Sequence, residues 1–354
     1  MLGYGLGQDR LGGAKMGYID SNVLLKIIDS TRDLYHVQLS RYHTGYISKN
    51  DIVPDSSFRP RPFYVTGSFS VRGGENAYDT VNISMDERLP YKSWMEIDPS
   101  RILLDIYGVQ SNTNWITQLS TLKEIRNVYY EQTEDDVMRV TIELKHHQHW
   151  GYSISYVGKA LQIRVRQQPK VLDLKKLTVA IDPGHGGTNQ GADGITTKVL
   201  EKDYTLKISL AVAKLLRLKG VKVIMTRTTD TTFDNKDRAL WLQKMQPDIQ
   251  LSIHLNSSDR PEVQGVSTYY KHIGFRPLSV SILQRMMTIS TREYGNVGSF
   301  NFTLNAPTDY PNALLEVAFL SNVEEEKKIL SAKFHKDIAT QVYKGLLDFL
   351  KQAQ

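Results

Sequence analysis

Hydrophobic positions recur with one period in the first half of this chain and with another in the second. Up to about residue 170 they alternate with polar residues in short runs: Val23 to Ile28, Leu34 to Leu39, Phe63 to Val71, Arg101 to Tyr107, Met138 to Leu144 and Leu161 to Val165. Period-two alternation rich in β-branched and aromatic residues, broken by Gly, Asn and Asp, predicts half-buried strands. Three of the four tryptophans and thirteen of the nineteen tyrosines lie in this half. Beyond it, unbroken apolar runs at Leu177 to Ile181, Ile249 to Ile253 and Ala313 to Leu320 read as buried strands. Between them the spacing turns helical. Tyr204, Ile208, Ala211, Val212, Leu215 and Leu216 predict a helix that starts at Glu201 and is stopped by Gly220. Lys236 to Met245 predicts a second, and Phe334, Ile338, Ala339, Val342, Leu346, Leu347 and Leu350 predict the packing stripe of a last one. The expected architecture is α/β, a mostly parallel sheet flanked by helices, preceded by small all-β modules. Gln167-Gln-Pro-Lys170 and the charged stretch Asp173 to Lys176 mark the boundary, giving regions 1–58, 59–170 and 175–354.

Composition narrows the function classes. At 354 residues there is room for two or three cores. With no cysteine, disulfides, thiolate metal sites and a cysteine nucleophile are excluded. The net charge of +6 suits weak attraction to anionic polymers, and solubility alone explains it equally well. No basic stripe or motif points to nucleic acid. No apolar run reaches the roughly eighteen residues a transmembrane helix needs. Residues 1–20 have no apolar core, so no export signal is visible, and the expectation is a mature sequence from which one was removed.

The candidate chemistry lies in the second half. Asp182-Pro-Gly-His-Gly-Gly187 follows a strand directly, which puts His185 on a turn at the strand's carboxyl end. Glu201 opens a helix, where an acid is favoured by the dipole whatever else it does. His254 closes a strand and is followed by the polar turn of Asn256, Ser257 and Ser258; a structural histidine is the simpler reading of it in isolation. Glu316 interrupts the apolar run from Ala313 to Leu320. A carboxylate buried there needs a cation or a hydrogen-bonding partner, so a structural salt bridge and a functional role both stay open. Two imidazoles and one carboxylate are the ligand set of a catalytic zinc with an open position, and a second carboxylate is then free to act as base. In an α/β sheet such strand ends converge where ligands bind.

In order, the chain shows Asp182 to Gly187, Gly191-Ala192, Glu201-Lys202-Asp203, Thr226-Arg227 with Asp230, Ser252 to Asn256, and Glu316 through Asn322. From about residue 175 to 352 it resembles the zinc-dependent N-acetylmuramoyl-L-alanine amidases of peptidoglycan. The resemblance implies one Zn2+ per chain held by His185, Glu201 and His254, Glu316 as general base, and hydrolysis of the amide between N-acetylmuramic acid and L-alanine. Asn256 is the candidate for touching substrate. Peptidoglycan is the implied partner, and periplasmic or cell-surface residence the implied location. One departure is the stretch Asn301 to Pro311, which lacks the arginine often found before the last strand. Some relatives carry a long extra helix that plugs the site. A separation of sixty-two positions from His254 to Glu316 (316 − 254) leaves little room for one. Competence without an activator is therefore expected.

Within the β-rich half, Asp9-Arg-Leu-Gly-Gly through Ile52 resembles a bacterial SH3-like barrel, and Trp94 to Gln168 is similar to AMIN modules. A single β-rich scaffold is the alternative, and a cell-envelope protein is a candidate partner of these modules. His146-His-Gln-His149 is read as an exposed turn rather than a metal tract, because no carboxylate or Cys set accompanies it. Arg238 is read as half of a structural ion pair. Two other functions compete with the amidase. One is a zinc exopeptidase on free peptides, which often needs two metals. The other is a non-catalytic wall-binding or regulatory protein.

Overall fold

A computed structural model describes residues 1–5, 15–59, 61, 63–74, 76–290 and 292–354, and divides into two compact units, Met1–Gln168 and Pro169–Gln354.

The first unit is all β. A five-stranded antiparallel sheet has the order Lys15–Gly17, Leu2–Gly3, Thr44–Ser48, Leu34–Gln38, Lys26–Ser30. The strand expected at Val23 begins only at Lys26, because the Leu24 amide donates outside the sheet, to Arg88 O at 2.9 Å. The run Asp9 to Gly13 lies outside the described residues. Two further sheets follow. One is ordered Val109–Gln110, Tyr64–Gly73, Tyr78–Met85, Ala160–Arg166, Tyr152–Val157, and the other Ile125–Glu134, Val137–Leu144, Ser100–Tyr107, Tyr91–Ile97. The first buries alternate residues, such as Val81, Ile83, Leu161 and Ile163, whereas the central strands of the second are buried over most of their length, Ile102 to Tyr107 without a break. The rings of Phe69 and Tyr130 meet 5.5 Å apart between them.

Asp79 is fully buried here. It accepts the amides of Lys123, Glu124 and Ile125 at 2.9, 2.6 and 2.8 Å, and Gln167 Nε2 at 2.8 Å. The histidine tract differs from the exposed turn expected of it. Gln148 and His149 are buried, His149 Nε2 donates to Glu96 O at 2.8 Å, and His146 Nδ1 lies 2.7 Å from Glu124 Oε2. The end of the tract folds against the hairpin of Tyr91–Ile97 and Ser100–Tyr107 while His147 stays exposed, and burial pulls the His149 pKa down to about 4.

The second unit has strands β1 (Thr178–Pro183), β2 (Lys222–Met225), β3 (Ile249–Asn256), β4 (Val266–Tyr269), β5 (Glu293–Val297) and β6 (Asn312–Phe319). Its helices are α1 (Glu201–Leu218), α2 (Asn235–Met245), α3 (Arg276–Met286), α4 (Val323–Ile329) and α5 (Ala332–Gln352). The sheet order is β2-β1-β3-β6-β4-β5. Strands β2, β1, β3 and β6 run parallel, whereas β4 is antiparallel to β6 and carries β5 parallel to itself. The sheet is therefore mixed, and expecting it to be mostly parallel missed the reversal at β4. Residues 257–265 join β3 to β4 with no helix, too short a connection for a parallel return. Helix α3 supplies that crossover between β4 and β5.

Strand β3 also runs past the expected end at Ile253, because His254 and Asn256 still pair with Glu316 and Phe319 of β6. Every residue of β6 is buried, as a central strand covered on both faces requires. Ala180, Leu242 of α2, Leu304 and Tyr310 form one cluster, while α1 and α3 pack on the sheet and α5 packs on both of them. Leu347 falls outside the buried stripe of α5 and is 39% exposed.

Candidate active site

The site is assembled at the carboxyl ends of β1, β3 and β6. Past Pro183 the chain turns so tightly that His185 takes a left-handed backbone, φ 61°, a conformation uncommon for a residue with a side chain. Arg238, buried on α2, holds that turn from beneath. It donates to Pro183 O at 2.7 Å, to Asp182 Oδ1 at 3.0 Å and to the His185 carbonyl. The ion pair expected of Arg238 is thus present, with the carboxylate of Asp182. Gly184 lies under the imidazole of His254, where a Cβ would collide with the ring.

Glu201 is the first residue of α1, with only 3% of its surface exposed. One carboxylate oxygen lies 3.1 Å from His185 Nε2 and accepts the Ala192 amide at 2.9 Å. The other lies 3.1 Å from His254 Nδ1 and accepts the Leu255 amide at 3.0 Å. At Gly191 (φ 71°) any Cβ would overlap the Glu201 carboxylate, so the loop can close over it only as glycine. Burial opposes the charge on Glu201, but hydrogen bonds from both imidazoles outweigh it and hold the carboxyl far below its usual range. Burial likewise opposes protonation of His185, and its bond to Glu201 reverses that and raises its pKa.

Glu316 sits directly opposite His254 in the β3–β6 pairing, and the register slips just beyond it, an irregularity next to this carboxyl. It is 8% exposed, and its Oε2 has no hydrogen-bond partner. Burial first, and the negative charge of Glu201 second, push its pKa well above the usual carboxylate range.

His185, Glu201 and His254 offer ligand atoms that all lie within 4.8 Å of one another. Among the described residues no other group of histidines and carboxylates does so. Two imidazoles and a carboxylate held deprotonated thus converge, with the unpartnered carboxyl of Glu316 on the neighbouring strand opposite His254. That donor set fits a borderline divalent metal ion, and the three first residues could hold it.

The family model described as N-acetylmuramoyl-L-alanine amidase matches residues 179–348, and that of the AMIN domain matches 68–174. Over 204 residues the chain is 30% identical to the germination-specific N-acetylmuramoyl-L-alanine amidase of Bacillus subtilis, a match covering 52% of this chain and 84% of that protein. This chain belongs to the N-acetylmuramoyl-L-alanine amidase family. It is also 34% identical over 184 residues to the probable cell wall amidase LytH of Staphylococcus epidermidis, across 51% of this chain. That match spans 59% of the length of LytH. Among solved structures, the N-acetylmuramoyl-L-alanine amidase from Clostridium difficile shares 31% identity, with a TM-score of 0.48, over 50% of this chain and 98% of that one.

Within this amidase-family domain, the structure brings His185, Glu201 and His254 together and sets Glu316 beside them. Asn256 lies further along β3 on the face of His254; its Oδ1 accepts the Ser257 amide at 2.8 Å, and its side chain reaches the Tyr269 hydroxyl. Sequence reasoning gave no role to Arg227, although Thr226-Arg227 stood out as a motif. Its buried guanidinium donates to the carbonyls of Pro183, Gly184 and Lys202 at 3.1, 2.9 and 2.8 Å, tying β1 to the head of α1. Sequence reasoning did not single out Asn189, whose Oδ1 lies 2.8 Å from His185 Nδ1. Only the polar composition of its loop could have suggested it.

Proposed function

We propose that this protein hydrolyses the amide between N-acetylmuramic acid and L-alanine in peptidoglycan, with one zinc ion per chain held by His185, Glu201 and His254. The buried carboxyl of Glu316, unpartnered and opposite His254, carries this reading. Zinc, when bound, supplies a Lewis acid and an acidified water. The residues of the chain do the rest. Glu201 stays deprotonated and fixes both imidazoles, and Arg238 and Arg227 hold the backbone that presents them. Glu316, with a pKa raised by burial, takes the proton of the attacking water and returns it to the departing amine nitrogen, the double duty for which an elevated carboxyl pKa is suited. Asn256 is the candidate contact for the substrate.

Three regions divide the work in this proposal. Residues 175–354 carry the chemistry, 59–170 form an AMIN-like module and 1–58 an SH3-like one. The short-stranded antiparallel sheet at Leu2 to Ser48 and the AMIN match support the last two. The β modules would place the enzyme on the envelope, periplasmic or at the cell surface, against wall or an envelope protein. No helix among the described residues is long and apolar enough to cross a membrane. Between His254 and Glu316 the described chain forms β4, α3 and β5, and α3 packs on α5 and the sheet, which supports turnover without a protein activator.

The test is digestion of purified peptidoglycan by the zinc-loaded protein alone, with end-group analysis and metal counting. New amino-terminal L-alanine with one zinc per chain is the expected result. Two metals per chain with cleavage of free peptides would favour an exopeptidase. Pull-down on wall without new termini would favour a binding protein.

A further inference from the structure

The two imidazoles of the site are not held alike. His254 turns its Nδ1 to Glu201, whereas His185 turns its Nε2 there, at 3.1 Å in both cases. A histidine that offers Nε2 to a cation has Nδ1 left over, and whatever accepts from Nδ1 decides the tautomer and the ring angle. In this chain that acceptor is Asn189: its Oδ1 lies 2.8 Å from His185 Nδ1. The contact is built rather than incidental. Asn189 and Gly186 exchange both backbone hydrogen bonds, Gly186 N to Asn189 O at 2.9 Å and Asn189 N to Gly186 O at 3.1 Å. This returns the chain to the ring it has just left. The side-chain oxygen also takes the Gly191 amide at 3.3 Å, which leads into the loop covering Glu201. The Asn189 amide group is thus aimed from both sides, with its oxygen towards the imidazole.

We propose that Asn189 is the positioning residue that fixes His185 with Nε2 towards Glu201, and so sets the affinity of the site for a divalent metal. The inference rests on the metal-site reading above. It adds that the outer partner of His185 is a neutral carboxamide, which orients the ring without adding a second negative charge behind it. Loss of an outer-shell partner costs about 10–100-fold in metal affinity, and because Asn189 is exposed, where water can replace it, the expected effect is at the lower end.

The test compares wild type, Asn189→Ala and Asn189→Asp, each stripped and titrated with Co2+ against a chromophoric chelator, with the visible spectrum of bound cobalt as a second readout. Melting of the metal-free proteins serves as the folding control. Asn189→Ala is expected to melt like wild type yet to bind cobalt about tenfold more weakly, with an altered band shape. Asn189→Asp, which keeps an acceptor oxygen at the ring, is expected to restore the affinity and the spectrum. Equal affinities and spectra in wild type and Asn189→Ala would overturn the role of Asn189 and leave the metal site standing. Failure of folded wild type to bind cobalt at all would remove the metal site and this inference together. Weakening in Asn189→Ala that Asp does not rescue would reduce Asn189 to a loop-shaping residue.

Discussion

Asp79 and Glu316 are both buried carboxylates, one in each unit of the molecule, and they are treated in opposite ways. Asp79 takes three backbone amides and a glutamine, so every demand its charge makes is met where it sits. Glu316 is almost as deeply buried and has an oxygen with no partner. A charge left bare in a protein interior costs several kcal/mol, so burial favours the neutral form of Glu316, and a carboxyl so placed in a central strand is a candidate for chemistry. The same contrast holds for the histidines. His149 is buried, donates to a backbone carbonyl and has its pKa pulled down to about 4, whereas His185 is partly open, sits on a strained backbone and faces a carboxylate. The contrast is one between particular residues and not between whole units, since Glu124 of the first unit also buries a carboxylate oxygen without a partner.

The comparison breaks most sharply at the ligand set. His254→Ala is expected to abolish stoichiometric zinc uptake and to reduce hydrolysis by more than the roughly 10–100-fold that an outer-shell loss costs. Metal counting after gel filtration checks the first effect, and end-group release the second. Asp79→Ala should do the reverse. It strands two buried amides and a part-buried one, so a loss of about 3 kcal/mol is expected, roughly 10 °C in the melting of its unit, with zinc uptake unchanged.

His149 gives a pH signature of comparable size. Its folded pKa lies below the unfolded value of about 6.5, so the unfolded chain takes up the proton first and stability falls as pH drops from 6.5 towards 4. The full loss is about 3 kcal/mol, and His149→Gln should flatten that slope in denaturant titrations at pH 7 and pH 5. Glu316 has the opposite sign. Its folded pKa is raised, so its contribution is fully present below the unfolded carboxyl value and lost as pH rises through the folded one. Metal-free Glu316→Gln should therefore be more stable than metal-free wild type at pH 7, by about 1 kcal/mol, and lack that alkaline decline. A destabilised Gln variant would mean that the carboxylate has a structural partner after all.

What the chain discloses follows the same division. Glu316 was legible because a charge inside an apolar run is hard to explain as fold, and His185 because Gly184 and Gly186 on either side of it announce a tight turn. Helix α1 was legible from Glu201 to Gly220 because its apolar spacing and terminator agree. The reversal of β4 was not, since alternation reports burial and says nothing of strand direction; only the short connection 257–265 decides it. His149 was misread because a polar tract looks exposed until the hairpin that buries it is known. Asn189 and Arg227 act on backbone carbonyls and a ring nitrogen, contacts that leave no mark in residue spacing.

The most direct measurement compares wild type with Glu316→Gln, both loaded with zinc, on purified peptidoglycan. Equal zinc in both, with new amino-terminal L-alanine from wild type and a loss of about 10²–10⁴-fold in the variant, is the predicted result. Near-equal release from both proteins would contradict the account, because the bare carboxyl opposite His254 would then not be the base.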